Sequence, residues 1–220
     1  MRYSKYDRWV DRRRIRGEPE VLPRGVHRLS RAEVAASQRG RLMLAMAEVV
    51  AEKGYAATTV ADVLKRARVS RLSFYEHFAN KEACFVAAYD LVAGEVASRI
   101  RAALAVEGDP LERAELALGA YLETLAGEPA LARLFLVDSY AAGPELARRR
   151  AAMHTLSADL IADRLGASTP GQRLACEAFV GAVLSLVTAR IVDGDLDAVR
   201  ELRGRIMALA RPVWDSFYQL

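Results

Sequence analysis

The sequence predicts an all-α protein of about nine helices, in which a small N-terminal three-helix domain with a helix-turn-helix precedes a larger helical domain. Apolar residues recur at three- and four-residue spacing, which is typical of amphipathic helices, and no segment alternates as a strand does. Pro, Gly, Asp and Thr stand between these periodic segments as helix start and stop signals. Hydrophobic residues make up 52% of the 220 residues, which is ample for a buried core.

Residues 1–29 are predicted to form a flexible basic arm. A cluster of three arginines begins at Arg12, and helix-breaking residues follow it: Gly17, Pro19, Pro23 and Gly25. Such an arm can lie along nucleic-acid phosphates or enter a minor groove. It can equally be a leader that contacts nothing specific, and the sequence leaves both interpretations open.

The first helix is predicted to begin at Ser30 and to stop at Gly54. Ser30 and Glu33 match a capping box, in which a hydroxyl and a carboxylate bond the unpaired amides of a helix start. One apolar stripe then follows at helical spacing: Leu42, Ala45, Met46, Val49 and Val50.

Two short helices joined by a tight turn are predicted next. Thr59 and Asp62 form a second start signal of the same kind. The apolar period breaks at Arg68 and Val69, and Ser70 can cap a further helix.

This further helix is predicted to have two different faces. Phe74 and Phe78 are four residues apart and share a buried face. Polar side chains between them point away: Arg71, Ser73, Tyr75 and His77. A short helix that presents such groups suits a DNA major groove, where they reach base edges and phosphates.

The remaining helices are delimited by recurring signals. Asn80 is predicted to cap the fourth helix, and proline then stands at the first position of four later helices: Pro110, Pro129, Pro144 and Pro170. Gly166 and Gly194 end two of these helices. Asp195 or Asp197 opens the last helix, which Pro212 should kink or end.

The segments TTVADV, VSRLSFYEHF and NKEACF resemble the DNA-binding domain of the tetracycline-repressor (TetR) family of transcriptional regulators. The similarity is clear from about Arg39 to Phe85, and the rest is comparable in length and helical pattern. The resemblance implies a DNA-binding domain at residues 30–85 and an effector-binding and dimerisation domain at residues 86–220. Most family members have Gly where this chain has Arg68, a place that often needs a left-handed backbone.

The candidate DNA contacts lie around the recognition helix: Thr59, Ser70, Arg71, Leu72, Ser73, Tyr75, His77 and Lys81. Arg71 can bridge guanine O6 and N7 or grip a phosphate, and Leu72 can touch a thymine methyl group. The resemblance implies backbone contacts for Tyr75 and His77 and a phosphate contact for Lys81 at a helix start. Packing within a small domain is the alternative for Tyr75 and His77.

Small residues in the helix from Leu174 to Ile191, together with one residue of the last helix, form the candidate dimer interface: Ala178, Gly181, Ala182, Ser185, Ala189 and Ile206. Small side chains let two helices approach closely, and the resemblance implies a four-helix bundle across a two-fold axis. The alternative is that both apolar stripes face the core of one chain.

Aromatic and polar residues of the second domain are candidate walls of an effector pocket: Tyr89, Tyr121, Phe135, Tyr140 and His154. The abundance of Ala and Leu leaves room for an apolar effector. That such a ligand changes the spacing of the DNA-binding heads is implied by the resemblance alone. Each candidate has a role in the core as its alternative.

The charge distribution favours a polyanionic partner for the N-terminal part. Residues 1–81 hold 18 Lys and Arg against 9 Asp and Glu, whereas residues 82–220 hold 14 against 19.

No uncharged apolar run reaches the roughly 18 residues of a membrane span, and no signal peptide is recognised, so a cytoplasmic protein is expected. Cys84 and Cys176 are expected to be buried thiols, with a redox pair as the alternative.

No enzymatic activity, cofactor or metal is expected. The three histidines, at positions 27, 77 and 154, are scattered and have no ligand-spaced Cys or Asp beside them. Phosphate-cradling glycine loops and nucleophile elbows are not found in the sequence either.

The predicted function is therefore that of a sequence-specific transcriptional regulator. We expect a ligand-responsive repressor that binds a palindromic operator in double-stranded DNA as a homodimer and is released by a small apolar effector. One rival is a helical small-molecule carrier or sensor without DNA binding, and another is a protein that coats DNA non-specifically through its arm. The basic N-terminal part, with Arg71, Tyr75 and Lys81, favours the regulator.

Overall fold

The computed structural model describes residues 31–218, and the regular structure within that range is entirely helical. The predicted all-α class and count of about nine helices are confirmed for this range. A short 3-10 helix (Asp138–Tyr140) accompanies nine α-helices: α1 (Arg31–Ala57), α2 (Val60–Ala67), α3 (Arg71–His77), α4 (Lys81–Leu104), α5 (Pro110–Gly127), α6 (Pro129–Leu136), α7 (Pro144–Arg164), α8 (Pro170–Asp193) and α9 (Leu196–Tyr218). The predicted arm at residues 1–29 and the capping Ser30 lie outside the described residues.

The chain divides into two compact units within helix α4. The first unit ends at Ala88 and the second begins at Tyr89. The first therefore comprises α1 to α3 and the start of α4, and the second comprises the rest of α4 and α5 to α9. Each unit has buried apolar residues of its own.

Helix α1 is interrupted at Gly54, where the sequence predicted its end. This residue has φ 79° and ψ 160°, far from helical values. A positive φ is free of steric cost for glycine and costs roughly 1–2 kcal/mol for other residues. The break turns the chain toward α2.

The core of the first unit is built from all four of its helices: Leu42, Met46, Val50, Val63, Phe74, Phe78 and Phe85. The rings of Phe74 and Phe78 lie with centroids 5.7 Å apart. Burying one such side chain is worth roughly 1.5–3 kcal/mol. Because α3 is only two turns long, these two anchors decide which of its faces points outward.

Three helices of the second unit start at residues whose side chains bond the free amides of the first turn. Asp109 Oδ1 accepts a hydrogen bond from Leu111 N at 2.8 Å. Thr169 and Gln172 form a complete capping box. Asp195 Oδ1 accepts from Ala198 N at 2.9 Å, so Asp195 caps α9 and Asp197 does not.

Helix α9 continues through Pro212 to Tyr218. Of the two alternatives predicted for this proline, a kink or an end, the end is therefore wrong. Proline removes one backbone donor, which leaves the carbonyl group four residues earlier without its partner. That residue, Ala208, is exposed, so water can bond the carbonyl group.

The second unit is a layered bundle. Helix α9 packs along α5, while α8 packs along α7 and also contacts α6 and α9. Apolar side chains of α5, α8 and α9 are buried along these contacts: Leu118, Leu122, Val187, Val199, Leu202 and Ile206. The packing leaves a cavity between the helices of this unit, which is described below.

Candidate nucleic-acid interface and ligand cavity

Both helices of the helix-turn-helix are capped as the sequence predicted. Thr59 Oγ1 accepts from Asp62 N at 3.2 Å, and Asp62 Oδ2 accepts from Thr59 N at 2.9 Å. Ser70 Oγ accepts from Ser73 N at 3.1 Å and donates to Ser73 Oγ at 3.0 Å. Thr59 and Ser70 are exposed, so each can also meet a phosphate.

Ion pairs that the sequence analysis missed join α2 to α1. Lys53 Nζ lies 2.6 Å from Asp62 Oδ2, and this contact, with the bonds from Thr59, holds the pKa of the Asp62 carboxyl well below its usual range. Arg66 pairs with Glu48 at 3.1 Å and with Glu52 at 2.6 Å. Such exposed pairs contribute little to stability, because solvent screens them. They also neutralise three carboxylates of the first unit, those of Glu48, Glu52 and Asp62.

The outward face of α3 carries three large exposed side chains. Arg71 is exposed, Leu72 is 73% exposed and Tyr75 is 50% exposed. Phe74 between them is fully buried, and its ring meets the Tyr75 ring edge-on with the ring centroids 5.3 Å apart, a spacing typical of aromatic pairs. The short helix thus presents a cation, an apolar group and a phenol on one surface.

Ser73 and His77 are half-buried. The carbonyl group of His77 accepts from Arg39 Nη1 at 3.2 Å, and the Arg39 guanidinium lies 4.5 Å from the centre of the Phe78 ring. His77 Nε2 is buried without a hydrogen-bond partner among the described residues. For His77 the structure therefore favours packing inside the first unit, which was the alternative to a DNA contact.

Arg68 has φ 52° and ψ 48°, the left-handed conformation expected for this turn. Among the described residues it is the one non-glycine with positive φ. Its amide donates to the carbonyl group of Leu64 and so closes α2. The turn is therefore made with an arginine at a backbone position that favours glycine.

Lys81 is not the free cation that the sequence analysis expected. Its Nζ donates to the carbonyl oxygens of Tyr55 and Thr58, both at 2.9 Å. The same ammonium group lies 4.2 Å from the centre of the Tyr55 ring. Two of its three donors thus satisfy backbone groups at the end of α1, and one donor is left for a phosphate.

The second unit contains a cavity of about 620 Å³, within the range of small-molecule sites. The structure brings all five candidate effector residues together around it: Tyr89, Tyr121, Phe135, Tyr140 and His154. Aliphatic side chains form most of the remaining wall, among them Val96, Leu118, Leu136, Ile161, Val183 and Leu184. A mainly apolar ligand would be buried by these side chains.

Three phenols of this wall lie in different environments. The rings of Tyr89 and Phe135 lie with centroids 4.9 Å apart, and burial raises the pKa of Tyr89 to about 12. The Tyr121 hydroxyl is buried without a hydrogen-bond partner among the described residues, and burial raises its pKa further still. Tyr140 is 63% exposed, so the cavity reaches the surface of the unit near this residue.

Arg150 also lines the cavity, and the sequence analysis missed it. Its guanidinium lies 3.1 Å from the centre of the Tyr140 ring. In the sequence it belongs to the run Arg148, Arg149, Arg150, which is typical of a solvated helix face. Only the rotation of α7 against its neighbours distinguishes the third arginine from the other two.

The candidate dimer residues do not all lie on one surface. Four small residues of α8 are exposed in a stripe: Ala178, Ala182, Ser185 and Ala189. Gly181 instead lines the cavity, where an added Cβ would lie 3.5 Å from His154 Nε2. Ile206 is 3% exposed, because it packs inside the second unit, and so it is removed from the predicted interface.

Helix α8 has an exposed apolar face beyond these small residues. By length and composition it is the one described helix that would suit a membrane span, and only 17% of its most apolar window is buried. A single helix of this kind is weak evidence for a membrane protein. Leu174 on α8 and Leu209 on α9 add large exposed apolar side chains.

No group of three or more His, Cys, Asp or Glu that could hold a metal ion occurs in the part of the chain that the structure describes. Cys84 is buried and Cys176 is half-buried, and both are free thiols. Burial raises the pKa of the Cys84 thiol to about 12, so this side chain stays protonated.

Comparison with known proteins relates the first unit to a family of regulators. Residues 42–88 match the family described as bacterial regulatory proteins of the tetR family. The transcriptional activator FasR of Mycolicibacterium smegmatis is 27% identical over 128 residues, 58% of each chain. The uncharacterised regulator YxbF of Bacillus subtilis is 29% identical over 122 residues, 55% of this chain and 30% of YxbF. The chain thus spans little more than half of FasR and less than a third of YxbF.

Solved structures share the fold over most of the chain. The fatty acid degradation regulator FadR from Bacillus halodurans has a TM-score of 0.69 at 20% identity, and 78% of this chain and 93% of that one are covered. FadR from Bacillus subtilis, solved with stearoyl-CoA, has a TM-score of 0.63 at 21% identity, with 77% and 95% covered. The match to the TetR family of regulators thus extends over the helix-turn-helix at residues 42–88, and the chain as a whole shares the fold of these solved structures.

Proposed function

We propose that the protein is a sequence-specific DNA-binding transcriptional regulator of the cytoplasm. The observation that carries this proposal is the outward face of α3, where Arg71, Leu72 and Tyr75 are exposed while Phe74 and Phe78 hold the helix from behind. Arginine can bridge guanine O6 and N7, and an apolar side chain can contact a thymine methyl group. The tyrosine hydroxyl can bond a phosphate.

A homodimer would give this surface its specificity. Dimeric helix-turn-helix proteins place two recognition helices roughly 34–36 Å apart and read two half-sites of a palindrome. The exposed stripe of α8 supports such a dimer, because small residues allow close helix contact. A lipid bilayer suits this helix less well than a second protein chain does, because the helix also carries the charged residues Arg173, Glu177 and Arg190.

The cavity of the second unit is proposed to bind the effector. Its volume of about 620 Å³ and its aliphatic wall suit an apolar molecule. FadR from Bacillus subtilis, which shares the fold, was solved with stearoyl-CoA. We propose repression that the effector relieves.

A competition gel tests DNA recognition. The full chain is used to select binding sites from random duplexes, and the selected site is then competed with an unrelated duplex of equal length. A regulator prefers a palindromic site. Equal binding to all duplexes would instead support a DNA-coating protein, and no binding to any duplex would support a carrier of small molecules.

The direction of regulation needs its own measurement, because the relative FasR is named an activator. A promoter containing the selected site is transcribed in vitro with and without the protein. Repression lowers the transcript, and an increase would show activation through the same DNA surface.

A further inference from the structure

Two neighbouring arginines of α7 are used differently. Arg149 Nη1 donates to both carboxylate oxygens of Asp90, at 2.8 and 2.7 Å, and its Nε donates to Glu145 at 2.9 Å. Arg150 lines the cavity and has neither an ion pair nor a hydrogen bond among the described residues. A guanidinium beside an apolar cavity with no counter-ion can accept an anion from outside.

The polar groups of the cavity extend from an exposed end to a buried one. Arg150 lies over Tyr140, which is exposed. Tyr89 lies within electrostatic reach of both residues, since the Arg150 charge opposes the rise in its pKa. Burial and, to a smaller extent, Tyr89 raise the pKa of Tyr121, whose buried hydroxyl has no partner among the described residues.

The Tyr121 hydroxyl is an independent sign of a polar ligand atom. Buried hydroxyl groups nearly always have a hydrogen-bond partner, because leaving one unmade is costly. This one belongs to a residue of the cavity wall and has none within the described protein. A ligand oxygen in the cavity would supply the missing acceptor.

Other polar residues of the wall do not cancel the Arg150 charge. Glu177 lines the cavity as well, but it is exposed and makes no ion pair with Arg150 in the described contacts. His154, Thr155 and Ser157 complete the polar part of the wall. Because Glu177 has the opposite charge, a cationic ligand must be included in any test.

We propose that the ligand of this cavity is an amphipathic anion: an apolar chain lies against the aliphatic wall, and a carboxylate or phosphate group pairs with Arg150. An oxygen of the same ligand accepts a hydrogen bond from Tyr121. This inference rests on the proposed effector role of the cavity and sharpens it, since it replaces a purely apolar effector with one that carries a negative charge.

Titration calorimetry on the full chain tests whether the cavity prefers a negatively charged ligand. Dodecanoate, dodecanoyl-CoA, dodecanol and dodecyltrimethylammonium are compared below the concentrations at which they form micelles. A bond to a charged group supplies about tenfold to hundredfold in affinity, so at least one anion should bind that much more tightly than dodecanol. Dodecanol or the cation binding as tightly as both anions would overturn the proposal. The stronger of the two anions identifies a carboxylate or a coenzyme A phosphate as the group recognised.

Variants test the residues. Arg150→Gln should bring the affinity for the preferred anion down to that for dodecanol. Arg148→Gln is the matched control, because Arg148 is on the same helix, pairs with Glu145 and does not line the cavity. Tyr121→Phe should weaken anion binding by about threefold to tenfold, the worth of a neutral hydrogen bond. Loss of anion preference in both arginine variants, or in neither, would remove Arg150 from the site.

The proposed function and this inference can fail separately. Fluorescence anisotropy of the selected DNA site is followed while the preferred anion is added. Anion binding through Arg150 without any change in DNA affinity would reject the effector role and retain the anion site. A neutral ligand that releases the DNA equally from the parent chain and from Arg150→Gln would reject the anion site and retain the regulator.

Discussion

One cation of each unit, Lys81 in the first and Arg150 in the second, is engaged in the opposite way to the other. The ammonium group of Lys81 in the first unit donates hydrogen bonds to the carbonyl oxygens of Tyr55 and Thr58. Arg150 in the second unit has no such partner among the described residues, and the Tyr121 hydroxyl beside the same cavity has none either. A sequence motif thus indicates where a charged residue lies. Whether its donors are available depends on backbone groups that the motif does not name.

Among the substitutions that test this difference, Lys81→Ala is expected to have the largest effect. Removing the ammonium group leaves two partly buried carbonyl oxygens without their donor, so the free energy of unfolding should fall by about 1–3 kcal/mol. The urea midpoint measures this loss. Lys65→Ala is the control, because Lys65 is exposed on α2 and should change the midpoint little.

The same variant separates the two roles of Lys81. If its third donor contacts a phosphate, the slope of log affinity against log salt should decrease by about 1. A lower midpoint with an unchanged salt slope would leave Lys81 a purely structural residue.

Arg71→Ala probes a cation of the first unit that is exposed and has no partner among the described residues. Discrimination at one base step should relax by roughly 1–3 kcal/mol if the side chain reads guanine. The unfolding midpoint should stay constant, in contrast to Lys81→Ala. Binding-site selection with parent and variant measures the change, and an identical selected site from both would show that Arg71 reads no base.

Tyr121→Phe tests whether the Tyr121 hydroxyl in the second unit lacks a hydrogen-bond partner in the ligand-free protein. The hydroxyl makes no hydrogen bond within the described protein, so its removal should leave the ligand-free protein as stable as before or more stable by up to about 1 kcal/mol. Differential scanning calorimetry without ligand measures this. A drop in the melting temperature would reveal a partner of the hydroxyl in the free protein.

Arg68→Gly should have the smallest effect. The left-handed backbone at φ 52° suits glycine, although glycine also adds freedom to the unfolded chain, so a net gain of a few tenths to about 1 kcal/mol is expected. The urea midpoint should therefore rise. A fall would mean that the Arg68 side chain stabilises the turn by more than its backbone strain costs.

The helical architecture was accessible from local sequence signals. Caps such as Thr59 with Asp62 and Thr169 with Gln172 involve neighbours three residues apart, and their geometry follows from residue type alone. A kink or an end was expected at Pro212, and the end was wrong, because an exposed carbonyl group can be bonded by water when its amide partner is lost.

The site residues were accessible only in part. The five cavity candidates were chosen as aromatic or polar residues of the second domain, and the structure gathers all of them around one cavity. Arg150 was missed and Ile206 was misplaced, because both depend on how a helix is rotated against neighbours distant in sequence. The engagement of Lys81 was missed for the same reason, since its acceptors are backbone atoms at the end of α1.

Helix α8 lines the cavity with one side and exposes its other side on the surface of the second unit. Gly181 and Val183 face the cavity, whereas Ala182 and Ser185 are on the outside. An α-helix is only about 10–12 Å wide with its side chains, so an occupant on one side is separated from a neighbour on the other by a single layer. If the outer side holds a second copy of the chain, thermodynamic linkage makes the coupling mutual. A ligand that loosens or tightens the pair would then bind with an affinity that varies with protein concentration.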